Sequence, residues 1–321
     1  MTMPPIPAPP RISPVDAAQQ AVDHTRRFLF PFRFEKWLAL GFVAFLDQCG
    51  RGGGGGDSLR LIRPGVGPDA TSPAAEISHV VDWMGSHAAI VAAAAAALLA
   101  LVVALTALVL WVGSRATFMY IDDVATGRAD VRRPWREHAE AASSLFAWRF
   151  VVGLATLMGA LLLLLLGGAL AFAAWKGRLS GAAALLIGLL ALLPSLLALV
   201  VANALFSVAL RDFVAPLQWC HGVSCGAALR KFSVLLRANP GAFALYVLLK
   251  IAFSVVAGIA TLVAGCLTCC CAFLPIVTQT VLQPLFYFER SWSLCFLRQL
   301  GHDVIRDTPP APTEPGVAAG L

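Results

Sequence analysis

Few residues in this chain have the type and spacing to do chemistry. Lys250 stands out: it lies roughly eight residues into an apolar stretch. At mid-membrane such a charge costs about 2.5–3.5 kcal/mol on the insertion scale, so it either snorkels to the surface or marks a functional site. Counting from flanking charges puts Asn203 and Gln283 at comparable depth. Lys250, Asn203 and Gln283 thus form a candidate polar intramembrane cluster, read either as structural glue or as a ligand or ion site.

The cysteines are the second group. Cys266, Cys269, Cys270 and Cys271 lie together, and Cys266-x-x-Cys269 has metal-ligand spacing. A closed zinc site needs a second such pair, which is missing here. Two readings fit better: small residues buried at a helix turn, or an outer-face disulfide joining Cys49 to Cys266, Cys269, Cys270 or Cys271. The run Gly50 to Asp57 formally contains G-x-G-x-x-G. It lacks the preceding strand and following helix N-terminus that cradle phosphate, and reads as a linker. Arg26-Arg27 resembles a twin-arginine signal, but Asp47 and Gln48 beside Cys49 do not suit lipid attachment, so the arginines read as membrane anchors. The six histidines are scattered. No catalytic, metal or cofactor site is expected.

The elements that must position these residues are set by composition. Of 321 residues, 59% are hydrophobic and 13% charged, and mean hydropathy is +0.77. Soluble domains carry about 25% charged residues. A water-soluble fold of this size cannot hide such an apolar excess. The fold class expected is all-α: a polytopic transmembrane helical bundle with cytoplasmic amphipathic surface helices. Apolar runs predict six spans, at about 35–49, 88–113, 150–175, 182–210, 242–267 and 273–288. The first is short, and a re-entrant half-helix is its rival. A Pro-rich tail occupies 1–12, a Gly/Pro-rich outer linker 50–80 and a polar tail 301–321, with 13–300 as a single transmembrane domain.

Ser13-Pro14-Val15-Asp16 is a helix start, with a hydroxyl cap, proline at the first position and an acid in the first turn. The helix it opens puts Val15, Ala18, Val22 and Leu29 on one face, a spacing suited to lying on a membrane surface. A second short helix is expected at 135–146. A third, in the loop 211–241, should carry Cys225, Leu229, Phe232 and Leu236 on its apolar face. Pro194 should kink the fourth span.

Charge sets the orientation. Assigning both termini and the loops 114–149 and 211–241 to one side gives that side 18 Lys and Arg, against five on the other. By the positive-inside rule both ends are cytoplasmic and the membrane is the bacterial inner membrane. The net charge of +6 then serves anionic lipid of the inner leaflet rather than nucleic acid, which is not an expected partner.

Several stretches look familiar together: Phe30-Pro31-Phe32 leading to Lys36-Trp37-Leu38-Ala39-Leu40-Gly41-Phe42, Pro134-Trp135, Ser144 to Arg149, Asp212-Phe213-Val214-Ala215-Pro216, Tyr246, Cys269-Cys270 before Pro275, and Phe296-Leu297-x-Gln299-x-Gly301. The set resembles an uncharacterised family of bacterial six-span membrane proteins. More distantly it resembles the membrane domain of some glycerophosphodiester phosphodiesterases, whose catalytic barrel has no room here. The resemblance implies architecture only. The expected function is a non-enzymatic scaffold or accessory subunit contacting membrane lipids, the inner leaflet or a protein partner. The alternatives are a small-solute or lipid transporter with its site near Lys250, and a membrane enzyme using outer-face cysteines.

Overall fold

The structure, a computed structural model, describes residues 12–30, 32–49, 86–267 and 279–305, and within these it is helical with no strand. The Pro-rich tail up to residue 11, the linker 50–80 and Cys269 to Cys271 lie outside the described residues, as do the side chains of Cys49 and Cys266.

Four described helices are long and apolar enough to cross a membrane. They are α3 (Ala88–Thr126), α5 (Ala139–Trp175), α6 (Gly181–His221) and α8 (Pro240–Leu267). Their apolar stretches are uncovered by protein: Leu98 is 62% exposed, Leu164 71% and Leu262 70%. An apolar surface of that extent is consistent with a membrane protein, hydrocarbon being the solvent that suits it. The expected first span is α2 (Phe34–Cys49), of 16 residues. It covers about 24 Å at 1.5 Å per residue, short of a ~30 Å hydrocarbon layer. The expected sixth span is described only from residue 279, where α9 (Gln283–Gln299) follows.

Long helices change character along their length. In α3, residues up to Val112 face outward, whereas Gly113, Ser114 and almost everything from Ala116 to Ala125 are buried. Helix α2 runs antiparallel beside this buried part: Lys36 Nζ donates to Gly127 O at 3.0 Å, and Thr117 Oγ1 donates to Asp47 at 2.6 Å. The polar-lined core thus lies beside one end of the four apolar helices.

Helix α1 (Pro14–Leu29) starts as expected, with Ser13 Oγ accepting from Asp16 N–H. The face it buries differs from the one expected. Val15 is 55% exposed and Val22 38%, while Ala17 and Ala21 are fully covered. Small residues let α1 approach α9 closely, and Trp292 Nε1 donates to Pro14 O at 2.9 Å. The face that packs on protein is the alanine face, and Val15 and Val22 stay uncovered. The helix expected at 135–146 is instead the short α4 (Arg132–Glu137) followed at once by α5. In α7 (Cys225–Ala238), Cys225, Ala228 and Phe232 are buried, and Leu236 is exposed.

Helix α6 continues past residue 210, where a loop was expected, and contains two π-helical turns, Gly188–Leu192 and Leu210–Val214. Each ends two residues before a proline, Pro194 and Pro216. Leu193 N–H bonds Gly188 O and Ala215 N–H bonds Leu210 O. Proline supplies no N–H to continue the α-pattern, and the five-residue turn absorbs the mismatch.

Candidate functional site

The second π turn places Arg211 and Asp212, adjacent in sequence, both in the interior. Around them gather Asp47 from α2, Lys250 from α8, and Glu289 and Arg290 from α9, all at most 5% exposed. Arg211 Nη2 lies 3.0 Å from Asp47 Oδ2, and its Nη1 lies 3.0 Å from Glu289 Oε1. Arg290 Nη2 donates to the same Asp47 oxygen at 3.0 Å, and its Nη1 donates to Arg211 O at 2.9 Å. Lys250 Nζ bridges Asp212 Oδ2 at 2.7 Å and Glu289 Oε1 at 3.0 Å. Tyr246 OH, one turn before Lys250, donates to Asp212 Oδ2 at 3.0 Å.

Three carboxylates thus meet three cations, and the group is neutral as a whole. Neutrality is a physical requirement: each buried ion forfeits several kcal/mol of hydration, recovered only through close opposite charges and hydrogen bonds. With Thr117 of α3, the network ties together five helices. An aromatic cluster adjoins it, Phe213 lying 5.0 Å from both Phe243 and Tyr246 and 5.3 Å from Phe232.

The expected trio is distributed rather than gathered. Lys250 is ion-paired with Asp212 and Glu289. Asn203 Oδ1 accepts from Thr156 Oγ1 at 3.3 Å. Gln283 is fully buried, and its Nε2 donates to Tyr120 OH at 3.2 Å. The Tyr120 ring lies 5.7 Å from the Arg290 guanidinium, which links Gln283 to the network's edge. Asn203 instead lines a cleft of about 390 Å³ between α3, α5 and α6, with Thr106, Arg149, Ser207, Arg211 and Asp212.

Sequence reasoning missed Asp47, Arg211, Asp212, Glu289 and Arg290. The available signal was their apolar setting: Leu46-Asp47, Leu210-Arg211-Asp212-Phe213 and Phe288-Glu289-Arg290. Among the described cysteines, Cys225 and Cys295 are buried and Cys220 is half-buried. Burial pushes the Cys225 thiol up to about 11, which makes it unreactive at neutral pH. No cluster of metal-ligating side chains occurs among the described residues.

No curated protein and no solved structure matches the chain. The likeness to the membrane domain of glycerophosphodiester phosphodiesterases finds no support in these comparisons. One family, described as "Family of unknown function (DUF7544)", matches residues 12–300. With nearly its whole length so matched, the chain belongs to that family.

Proposed function

We propose that this protein is a non-enzymatic scaffold or accessory subunit of the bacterial inner membrane, contacting the anionic inner leaflet or a cytoplasmic protein partner. The observation that carries this reading is the state of Lys250. It is 4% exposed and held between two carboxylates. A transport site near Lys250 would need water or substrate to reach it. A charge-locked node joining five helices is what a rigid frame uses. Both termini in the cytoplasm and six crossings belong to the same proposal, supported by the distribution of 18 basic residues against five. That topology would also place Cys49, Cys266, Cys269, Cys270 and Cys271 on the oxidising side, where a disulfide can form.

The test combines flux and crosslinking. Asp23 on α1 and Lys231 on α7 are exposed positions for photo-crosslinking side chains. The expected result is crosslinking in cells to one discrete protein or to lipid. Solute flux in proteoliposomes should equal that of empty vesicles. Flux that disappears in Lys250→Met would overturn the scaffold and establish the transporter.

A further inference from the structure

We infer that the cleft between α3, α5 and α6 binds the phosphodiester headgroup of an anionic phospholipid. This rests on the four long helices lying in a membrane, and goes beyond the scaffold reading by assigning a ligand and a site. The cleft, about 390 Å³, falls within the ~300–1,000 Å³ range of small-molecule sites. Its lining is divided. Thr106, Asn203, Ser207 and Arg149 supply hydroxyl, amide and guanidinium groups, whereas Leu110, Val152 and Phe206 are apolar. Such a division suits a molecule that is charged at one end and hydrocarbon at the other.

Charge and depth point to the same ligand. The wall carries two arginines, Arg149 and Arg211, against one carboxylate, Asp212. Arg211 and Asp212 belong to the ion network, and beside them Arg149 Nη1 donates to Ser114 Oγ at 3.4 Å. Its planar guanidinium matches phosphate geometry. Trp111 follows the lining residue Leu110, and Trp148 precedes Arg149. Arg115 lies over both Trp111, at 4.7 Å, and Trp135, at 5.1 Å. Tryptophans and arginines of this kind settle at headgroup level. Thr106, Gly153, Ala204 and Ser207 are exposed on the faces of the apolar helices, so the cleft opens sideways, toward hydrocarbon. A lipid enters by that route. A free phosphate ester does not.

Gly153 provides a clean test, because a Cβ built on it meets nothing within 4 Å. Gly153→Trp fills the cleft while leaving every polar group in place. The full chain in mild detergent is titrated with phosphatidylglycerol, phosphatidylcholine or inorganic phosphate, and bound adducts are read by native mass spectrometry. Phosphatidylglycerol should be retained preferentially. Arg149→Gln should weaken that retention about tenfold, the equivalent of one charge-assisted hydrogen bond. Gly153→Trp should abolish it with the thermal unfolding midpoint of the lipid-free protein unchanged. Equal retention of the two lipids overturns the inference, as does phosphatidylglycerol binding indifferent to Gly153→Trp. Displacement of the lipid by inorganic phosphate also overturns it, in favour of a soluble ester. If Arg149→Gln fails to fold, Gly153→Trp decides alone. Each of these failures leaves the crosslinking and flux results for the scaffold untouched.

Discussion

Lys250 touches two carboxylates from two different helices, and Asp47 accepts from two arginines. Removing one member strands its partners as uncompensated buried charge. Lys250→Met should therefore cost about 3–5 kcal/mol of stability. Asp212→Leu should cost a similar amount, since Lys250 loses one of its two carboxylates and the Tyr246 hydroxyl loses its acceptor. The double variant should cost clearly less than the sum, because it removes the opposite charges together. Thermal or denaturant unfolding in detergent measures all three. Strict additivity would show that the network is not an energetic unit. Depth counting found Lys250 but not its ion-pair partners, for a definite reason. Asp47, Arg211 and Glu289 each sit where an apolar run stops, and in one dimension a charge at the end of a run marks a boundary. Only the three-dimensional pairing makes those boundaries interior.

At the scale of elements, the helix starts were legible and several helix extents were not. Ser13-Pro14 and Pro194 act through local backbone chemistry, so cap and irregularity could be read directly. The continuation of α6 through His221 depends on burying Arg211 and Asp212 against three other helices, which no local pattern encodes. The seating of α1 through alanines rather than valines likewise depends on α9. Glycine positions divide along the same line. Gly127, just past the end of α3, has φ +69°, and a Cβ there would strike the Phe28 ring. Gly177, at the turn between α5 and α6, has φ +67° with nothing within 4 Å. Both alanine variants meet left-handed backbone strain, but only Gly127→Ala must also displace an aromatic ring. Gly127→Ala should cost more than about 1 kcal/mol and clearly more than Gly177→Ala. Unfolding midpoints of the two variants compare them directly; equal losses would mean that Phe28 yields freely.

For the whole molecule, the length of α5 relates the packed core to the membrane. Trp148 and Trp175 are separated by about 40 Å of helix at 1.5 Å per residue, close to the ~40–45 Å of a bilayer with its headgroups. Lys176 Nζ lies 5.6 Å from the rings of both Phe172 and Trp175, a second aromatic and basic girdle at the far end. The hydrocarbon layer then fits between these girdles. The neutral ion network lies near the girdle of Trp111, Trp135 and Trp148, where polar core gives way to lipid-facing helix. This placement explains how six charges survive in so apolar a chain: the spans carry almost none, and those at their base are matched within the protein. It also predicts sidedness: with α5 crossing, Arg132, exposed on α4, and Arg178, exposed between α5 and α6, fall on opposite faces of the membrane. Single-cysteine variants at the two positions, treated with a membrane-impermeant maleimide on intact cells and on inverted vesicles, should label reciprocally. By the charge distribution, the residue 132 variant should label only in inverted vesicles. Labelling of both from one side would mean that α5 does not cross, and the cleft, the girdles and the lipid site would lose their membrane frame together.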